Sequence, residues 1–312
     1  MEETIIHIGW AKTASTTLHG SLFENHSQLH NIGLPGDERL EFVEELVKLS
    51  QRDSSRYDDS LLKSMVSEMK EQSSGRKLVL GHDFFSYHNA TDKRIIAERL
   101  RSVFGPSKVV ATIRNQYDII KSYYNGLGRG EFTLLFPNGD FSFDDWMAFS
   151  MQKKRQDTYF LSCLHYAETL KVYADVFGRD SIKILQFENM VDDLPSYSNE
   201  LAEFIGIDLQ ETFSLMSGEH RNKSHTEASF YAQKKIGAFF DNVPMLKSLL
   251  TKLDFLQGRG LVTGLVGKFN LAPQQDYAKW NGVIEDMYSA GNQELIHFFK
   301  LDLHSKYPIL AR

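Results

Sequence analysis

Four short runs of β-branched and aliphatic residues recur along the chain, and each is followed by small or polar residues and then by a helical pattern. Continuous apolar runs of this length are typical of strands that are buried on both faces of a parallel sheet. Because such strands alternate with helices, the sequence predicts a three-layer α/β/α architecture with a central parallel sheet. The predicted strands are Thr4–Gly9, Lys77–Gly81, Lys108–Ile113 and Ser181–Phe187.

Amphipathic patterns fill the segments between and after these runs. Apolar residues at three- and four-residue spacings predict helices with one buried face. Since no strand is predicted beyond the fourth run, the C-terminal third is expected to be helical. The predicted helices are Glu38–Leu49, Leu61–Met69, Asp92–Phe104, Gln116–Tyr124, Phe143–Met151, Asp157–Phe177, Ser196–Ile205, Glu227–Phe240 and Asp276–Phe299.

Composition limits the classes of partner. The chain has 312 residues, of which 42% are hydrophobic and 24% are charged, and this fits one globular domain over residues 1–312. A net charge of −6 argues against binding to nucleic acid or to an anionic membrane. The single cysteine, Cys163, favours a reducing compartment, and the short first apolar run, Ile5–Trp10, predicts neither a signal peptide nor a membrane span. The cytoplasm is therefore the expected location.

The first predicted strand leads into a small, hydroxyl-rich turn and then into a helix. The N–H groups of a first helical turn, the helix dipole and the hydroxyls of Ser15, Thr16 and Thr17 suit a phosphate group, and Lys12 adds a full positive charge. The spacing fits neither a Walker A motif nor Gly-x-Gly-x-x-Gly. The alternative is that Ser15 and Thr16 only cap the helix and that Lys12 is solvated.

A second candidate anion site follows the third predicted strand. Arg114 stands at the strand end, and Asn115 opens a helix that reaches Ser122. An arginine offers a planar fork of donors and a serine offers a directional donor, so together they suit a phosphate. The alternative is that Arg114 is an ordinary surface ion-pair partner.

Taken together, the two sites resemble those of sulfotransferases that use 3′-phosphoadenosine 5′-phosphosulfate (PAPS). The turn 12–18 resembles that family's 5′-phosphosulfate loop, usually Pro-Lys-Ser/Thr-Gly-Thr-Thr, and Arg114 with Ser122 resembles its 3′-phosphate motif. Two departures stand in the loop: Ala11 occupies the usual proline position and Ala14 the usual glycine position. An alanine disfavours a positive φ, so the loop is open to remodelling. Weaker similarity continues through Ile182–Met190, Leu201–Ile207 and Asp286–Leu303.

The resemblance implies a P-loop-like sulfotransferase fold and a metal-free, in-line transfer of the sulfuryl group from PAPS to a hydroxyl or amine, which leaves 3′-phosphoadenosine 5′-phosphate (PAP). It implies that Lys12 stabilises the leaving phosphate. The polar loop His220–Ser224 resembles the family's Asn-x-Ser loop, and the alternative is an exposed basic turn with an ordinary helix cap. Gln257–Gly260 more faintly resembles a 3′-phosphate segment. The implied cofactor-binding residues are Lys12, Thr13, Ala14, Ser15, Thr16, Thr17, Arg114, Ser122, Asn222 and Arg259.

A general base is expected at the end of the second predicted strand. His82 is the first candidate, because the ordinary pKa of histidine lies near working pH. Asp83 is the second candidate: as a carboxylate in an apolar pocket it would have a raised pKa, or else it orients His82. The alternative is that His82 is a strand-end histidine without a catalytic part.

The acceptor is expected to be a small molecule. The resemblance suggests that Tyr123–Asn125 and Gly126–Asp140 line its pocket, and Phe132–Phe136 make this insertion apolar. An acceptor with a hydrophobic portion, such as a lipid, a polyketide or an aromatic natural product, would fit, although the same side chains can equally pack inward. The glycine-rich stretch Phe255–Ala272 is compatible with a lid over the site or with an irregular surface loop.

Two other functions stay open at this point. A nucleotide-dependent phosphotransferase would use a similar strand, turn and helix, but it needs a carboxylate for magnesium, and Asp83 is the near candidate. A catalytically inactive member of the same fold would act as a binding protein. The sequence leaves the acceptor and the oligomeric state open.

Overall fold

The computed structural model describes residues 3–33, 40–51, 54–86, 92–128, 142–151, 160–218 and 275–310. Several features of the sequence lie outside these ranges. They are the predicted helix Glu227–Phe240, the stretch Phe255–Ala272, most of the insertion Gly126–Asp140, and the candidate residues Asn222 and Arg259.

Five strands in the described part of the chain form one parallel sheet in the order β2-β3-β1-β4-β5. Helices cover both sides of this sheet, which confirms the predicted three-layer architecture. The four predicted strands are all present, with ends that differ by no more than one residue. The sequence pattern missed β2 because three residues are too few to show one. The strands are β1 (Thr4–Gly9), β2 (Leu29–Asn31), β3 (Lys77–Gly81), β4 (Ser107–Ile113) and β5 (Ile182–Gln186).

The central strands β1 and β4 mark the point where the chain changes direction across the sheet. After β1 the chain runs to β2 and β3 on one side, and after β4 it runs to β5 on the other. Gly9, at the end of β1, is paired with Thr112 near the end of β4. In sheets of this kind, ligands bind in the crevice outside the carboxyl ends of such strands. The topology therefore places the two candidate anion sites on neighbouring strand ends.

Helices follow the predicted segments with small shifts at their ends, and the helix α12 confirms the helical C-terminal part. A π-helical stretch, Leu18–Phe23, continues directly from α1, and a 3₁₀ turn, Asp83–Phe85, follows β3. The helices are α1 (Ser15–Thr17), α2 (Leu40–Gln51), α3 (Ser60–Gln72), α4 (Lys93–Phe104), α5 (Gln116–Tyr123), α6 (Phe143–Ser150), α7 (Phe160–Cys163), α8 (Tyr166–Phe177), α9 (Phe187–Asp192), α10 (Leu194–Ile205), α11 (Leu209–Ser217) and α12 (Asn281–Phe299).

One predicted helix, Asp157–Phe177, is divided into α7 and α8. The indole nitrogen of Trp10 donates a 2.7 Å hydrogen bond to the carbonyl of Cys163, and the hydroxyl of Tyr288 donates a 2.8 Å bond to the carbonyl of Leu161. A continuous helix would use these carbonyls for its own N–H groups. Donors from distant parts of the chain therefore stabilise the break between the two helices, and no local pattern of residues predicts it.

The chain divides into two compact units, residues 1–120, 149–222 and 280–312 in the first and residues 121–148 and 223–279 in the second. The first unit contains the sheet and an apolar core between β1, β3, β4, β5 and α10. In the described part of the second unit, aromatic rings pack at steep angles to each other, with Phe143 4.7 Å from Tyr277 and 5.1 Å from Tyr124. A single domain over residues 1–312 stays a prediction.

The described residues lack two features, a membrane-spanning helix and a metal-binding cluster. Within the described ranges, no helix is both long enough and apolar enough to cross a membrane. In the same part of the chain, no three His, Cys, Asp or Glu side chains are grouped closely enough to hold a metal ion.

Candidate active site

The donor loop, which we define as Trp10–Thr17, connects β1 to the π-helical stretch and contains two residues with left-handed backbone. Lys12 has a φ of 72° and Ala14 has a φ of 66°. Thr13 lies between them, almost fully buried, and its hydroxyl donates a 2.6 Å hydrogen bond to the carbonyl of Trp10. Ala14 thus adopts a left-handed conformation that glycine tolerates without strain, and a left-handed residue with a side chain is strained by roughly 1–2 kcal/mol.

Replacing Ala14 with glycine is expected to raise the free energy of unfolding by about 0.5–1 kcal/mol. Glycine removes the left-handed strain of roughly 1–2 kcal/mol but makes the unfolded chain more flexible, which offsets part of the gain. Urea unfolding should show a higher midpoint at an unchanged slope.

Ala290 provides the matched control for this change. It is an exposed residue inside α12, where right-handed backbone favours alanine. Ala290→Gly should lower the free energy of unfolding by about 0.5–1 kcal/mol. If both substitutions lower the stability, the left-handed backbone at Ala14 is wrong.

The start of α1 carries no capping side chain. Ala14 is the residue at the N-cap, and it makes no side-chain hydrogen bond to the helix. Ser15 and Thr17 are half-buried helical residues and Thr16 is exposed, so these hydroxyls do not cap the helix, contrary to the alternative that they do. The first N–H groups of a helix then need another acceptor, and an anion is a suitable one.

Two cationic side chains meet at the donor loop. Arg114 follows β4 and donates from Nη1 to the backbone carbonyl of Lys12 at 3.1 Å. Burial, and next the charge of Arg114, lower the pKa of Lys12, and burial lowers the pKa of Arg114 against the opposing effect of Asp118 and Glu188. The Nε of Arg114 is buried and has no hydrogen-bond partner among the described residues. An anion placed here would stabilise both cations.

The surroundings of Arg114 fix its backbone and one face of its side chain. Its guanidinium carbon lies 4.4 Å above the ring of Phe187, and the hydroxyl of Tyr166 donates a 2.7 Å bond to its carbonyl. The next residue, Asn115, donates from its backbone and side-chain nitrogens to Glu188 at 3.0 and 2.7 Å. Glu188 is a buried carboxylate that the sequence analysis did not assign, because only the fold brings α9 to the end of β4.

The remaining predicted phosphate ligands are Ser122, Asn222 and Arg259. Ser122 is half-buried in the last turn of α5. Its role at a 3′-phosphate stays a prediction. Asn222 and Arg259 lie outside the described residues, and their roles stay predictions as well.

The candidate base and its neighbour form a hydrogen-bonded pair after β3. The Nδ1 atom of His82 lies 2.8 Å from a carboxylate oxygen of Asp83, and the side chains are 33% and 52% exposed respectively. The longer contact of 3.4 Å from the Phe84 N–H to the same Nδ1 is a poorer hydrogen bond. The short contact places a proton on Nδ1, so Nε2 carries the lone pair that a base needs.

Asp83 has properties that suit orientation better than proton abstraction. The hydrogen bond from His82, which outweighs the opposing effect of burial, lowers the pKa of Asp83 rather than raising it. For a carboxylate base in an apolar pocket, the sequence predicts a raised pKa. Since this carboxylate is half exposed and paired, the geometry favours His82 as base and Asp83 as its partner.

Two further histidines lie beneath this edge of the sheet and were not assigned from the sequence. His7, in β1, and His19, in the π-helical stretch, are buried, and their rings approach within hydrogen-bonding distance. Trp10 is fully buried against Tyr166 and belongs to the core.

The predicted acceptor-pocket residues are described only in part. Tyr123 and Tyr124 are buried, and both contact Trp146, at ring distances of 6.2 and 5.7 Å. Asn125 accepts a 3.3 Å hydrogen bond from the hydroxyl of Tyr277. The two tyrosines therefore pack inward in the second unit, whereas Phe132–Phe136, for which inward packing was the alternative, lie outside the described residues.

Comparison with known proteins identifies one family. A family model described as a sulfotransferase domain matches residues 37–245, about two-thirds of the chain. A sulfotransferase from Alicyclobacillus acidocaldarius has 18% identity, with 80% of this chain and 96% of that chain covered and a TM-score of 0.49. A sulfotransferase domain from the curacin biosynthetic pathway has 13% identity, coverage of 71% and 80%, and a TM-score of 0.48. A mouse sulfotransferase complexed with PAP has 9% identity, coverage of 69% and 63%, and a TM-score of 0.40. The search of curated proteins gives no significant match.

Proposed function

The chain belongs to the sulfotransferase domain family, and from this premise we propose that it transfers the sulfuryl group of PAPS to a hydroxyl or amine without a metal ion. The observation that carries the proposal is the pair of cations, Lys12 and Arg114, outside the carboxyl ends of β1 and β4, where the guanidinium of Arg114 donates a hydrogen bond to the backbone carbonyl of Lys12. Both lose solvation there, so the site gains most from an anion with two separated phosphate groups, as in PAPS.

The donor loop and Arg114 divide the binding of PAPS between them. The N–H groups and hydroxyls at the start of α1, together with Lys12, hold the 5′-phosphosulfate, and Arg114 binds the 3′-phosphate with Ser122 as its partner. Asn222 and Arg259 complete this set of proposed ligands. The backbone link between Arg114 and Lys12 couples the two phosphate positions, so that misplacement of one displaces the other.

The reaction is an in-line displacement at sulfur. The acceptor oxygen or nitrogen forms a bond to sulfur while the bond from sulfur to the 5′-phosphate oxygen breaks, and PAP leaves. His82 takes the acceptor proton at Nε2, while Asp83 holds its Nδ1–H and stabilises the imidazolium that forms. Lys12 stabilises the negative charge that develops on the departing phosphate oxygen.

The proposed acceptor is a small molecule with a hydrophobic portion. The apolar character of the insertion Gly126–Asp140 supports this choice, and it does not distinguish a lipid from a polyketide or an aromatic natural product. A single cysteine and a net charge of −6 support a reducing compartment such as the cytoplasm and a partner other than nucleic acid.

The proposal is tested by calorimetric titration of PAP into the protein without magnesium. PAP should bind, and Arg114→Ala should weaken the binding by at least about tenfold, because a buried bidentate contact to phosphate contributes roughly 1.5–3 kcal/mol. Arg94→Ala is the control, since Arg94 forms an exposed ion pair with Asp175 on another face.

The other outcomes select the rival functions. Binding that requires magnesium and prefers ATP over PAP would contradict the proposal and indicate a phosphotransferase. Tight PAP binding without transfer of ³⁵S from labelled PAPS to any hydroxyl or amine in a broad acceptor panel would indicate a binding protein that has kept the fold but not the chemistry.

A further inference from the structure

A chain of buried hydrogen bonds runs beneath the donor loop. It starts at the carbonyl of Trp10, which lies 2.6 Å from the hydroxyl of Thr13, and that hydroxyl lies 2.9 Å from the hydroxyl of Thr112. Thr112 lies 3.1 Å from Nε2 of His7, and Nδ1 of His7 lies 3.0 Å from Nε2 of His19. The four polar side chains are all at most 6% exposed.

The direction of every bond in this chain follows from its first acceptor. The carbonyl of Trp10 can only accept, so Thr13 donates its single proton to it, and Thr112 must then donate to Thr13. Having used its proton, Thr112 accepts from the Nε2–H of His7. The Nδ1 atom of His7 is consequently a lone pair, which accepts from the Nε2–H of His19.

This order of donors requires His7 to be neutral, and the lowered pKa of His19 keeps that ring neutral as well at neutral pH. Burial, and next the charge of His19, lower the pKa of His7 well below its usual range. Burial and the charge of His82 lower the pKa of His19 to about 4, against the opposing effect of Asp83. A second proton on His7 would sit on Nδ1 and would face the Nε2–H of His19, with no acceptor between the two N–H groups. At neutral pH this chain of hydrogen bonds is therefore intact. It ends at Nδ1 of His19, a buried atom with no partner among the described residues.

Two strand glycines leave the space that this chain occupies. A methyl group at Gly9 would lie 2.7 Å from the His7 ring and 2.8 Å from the Thr112 hydroxyl, and one at Gly81 would lie 2.5 Å from the His19 ring. All three distances are shorter than van der Waals contact, so a larger residue at either position would displace an imidazole. The glycines near the ends of β1 and β3 therefore leave room for buried polar side chains, whereas apolar side chains usually fill such space in a parallel sheet.

We propose that His7, His19 and Thr112 are positioning residues for the donor loop, which they hold in its binding conformation through the hydroxyl of Thr13. Thr13 is the buried residue between the two left-handed residues, Lys12 and Ala14. Backbone strain of this kind persists only where the surrounding structure enforces it. The hydrogen-bond chain supplies that enforcement, and it also reaches the strand end before His82, because the ring of His19 lies against Gly81. The inference rests on the proposed function only for the identity of the bound ligand.

The test is a crossed pair of substitutions at Thr112. Valine keeps the shape of threonine and loses the hydroxyl, whereas serine keeps the hydroxyl and loses a methyl group. If hydrogen bonding positions the loop, Thr112→Val should increase hydrogen exchange of the backbone amides of residues 12–15 by about tenfold relative to the amides of β5, and Thr112→Ser should restrain the loop as threonine does. A purely packing role would give the reverse order and would overturn the proposal.

Titration with PAP supplies the second readout on the same proteins. Thr112→Val should raise the Kd of PAP by about tenfold, and Thr112→Ser should stay within about threefold of the unmodified protein. If PAP binds and the two variants bind it equally well, the positioning role is wrong while the proposed function stands. If the unmodified protein does not bind PAP but exchange at the loop follows the hydroxyl, the proposed function is wrong while the positioning role stands.

The tautomers give a check that needs neither a variant nor a ligand. Nitrogen-15 NMR of the histidine rings at neutral pH should show the Nε2–H form for His7 and His19 and the Nδ1–H form for His82, because Asp83 accepts from the latter. A neutral Nδ1–H form at His7 would break the derived order of donors and overturn the proposal.

Discussion

Replacing Lys12 with methionine is expected to lower the rate of sulfuryl transfer by about 10²–10³-fold, while the affinity for PAP falls by about tenfold. Methionine keeps much of the length of the lysine side chain and removes its charge. The larger effect falls on the rate because the charge on the 5′-phosphate oxygen increases as its bond to sulfur breaks, so the ammonium group stabilises the transition state more than the bound ground state.

Two measurements separate these effects: PAP titration for affinity, and transfer from ³⁵S-labelled PAPS at saturating donor for the rate. Lys108→Met is the matched control, because Lys108 lies in β4 and pairs at 3.0 Å with the partly exposed Glu3. It should leave both quantities unchanged. Equal losses of affinity and rate in Lys12→Met would mean that Lys12 only binds the donor, and an unchanged rate would exclude it from the reaction.

The structure also explains why Lys12 and Arg114 could be found from the sequence whereas their supports could not. Arg114 directly follows a predicted strand, Lys12 lies three residues after the end of another, and the carboxyl ends of parallel strands meet at one edge of a sheet. The strand pattern therefore indicates their neighbourhood without any knowledge of the tertiary contacts. The four long strands and most helix positions follow from the same local periodicity.

The site residues that the sequence did not indicate make contacts with residues that are far away in the sequence. Glu188 binds Asn115 over 73 positions, and His7 meets Thr112 over 105 positions. Neither belongs to a local motif whose spacing would indicate the contact, and a buried histidine or glutamate gives no periodic signal. The break between α7 and α8 has the same origin, since Trp10 takes the carbonyl of Cys163 from 153 positions away.

The backbone conformation of Ala14 could not be predicted from the sequence, for a physical reason. The sequence shows that alanine replaces the usual glycine, and because alanine disfavours a positive φ the loop is open to remodelling. Whether the backbone is remodelled depends on whether the surroundings hold the left-handed conformation, and these surroundings come from β1, β4 and the π-helical stretch. The observed φ of 66° shows that Ala14 has a positive φ in spite of its side chain.

Replacing His82 with glutamine is expected to lower the transfer rate by about 10²–10⁴-fold for an alkyl alcohol acceptor, with PAP affinity within about threefold of the unmodified protein. Glutamine preserves polarity and approximate size but accepts no proton near neutral pH. The control is His297→Gln on the exposed surface of α12, where the ring contacts Gln293. It should leave the rate unchanged, and an equal loss in both variants would exclude a specific role for His82.

The acidity of the acceptor separates a base from a residue that only shapes the pocket. An acidic phenol is already largely deprotonated at neutral pH, so His82→Gln should slow its sulfation far less than that of an alkyl alcohol. Asp83→Asn should produce a smaller loss than His82→Gln, because its carboxylate orients the imidazole and stabilises its charge without taking the proton. If Asp83→Asn instead shows the larger loss together with the dependence on acceptor acidity, Asp83 is the base and the roles of the two residues are exchanged.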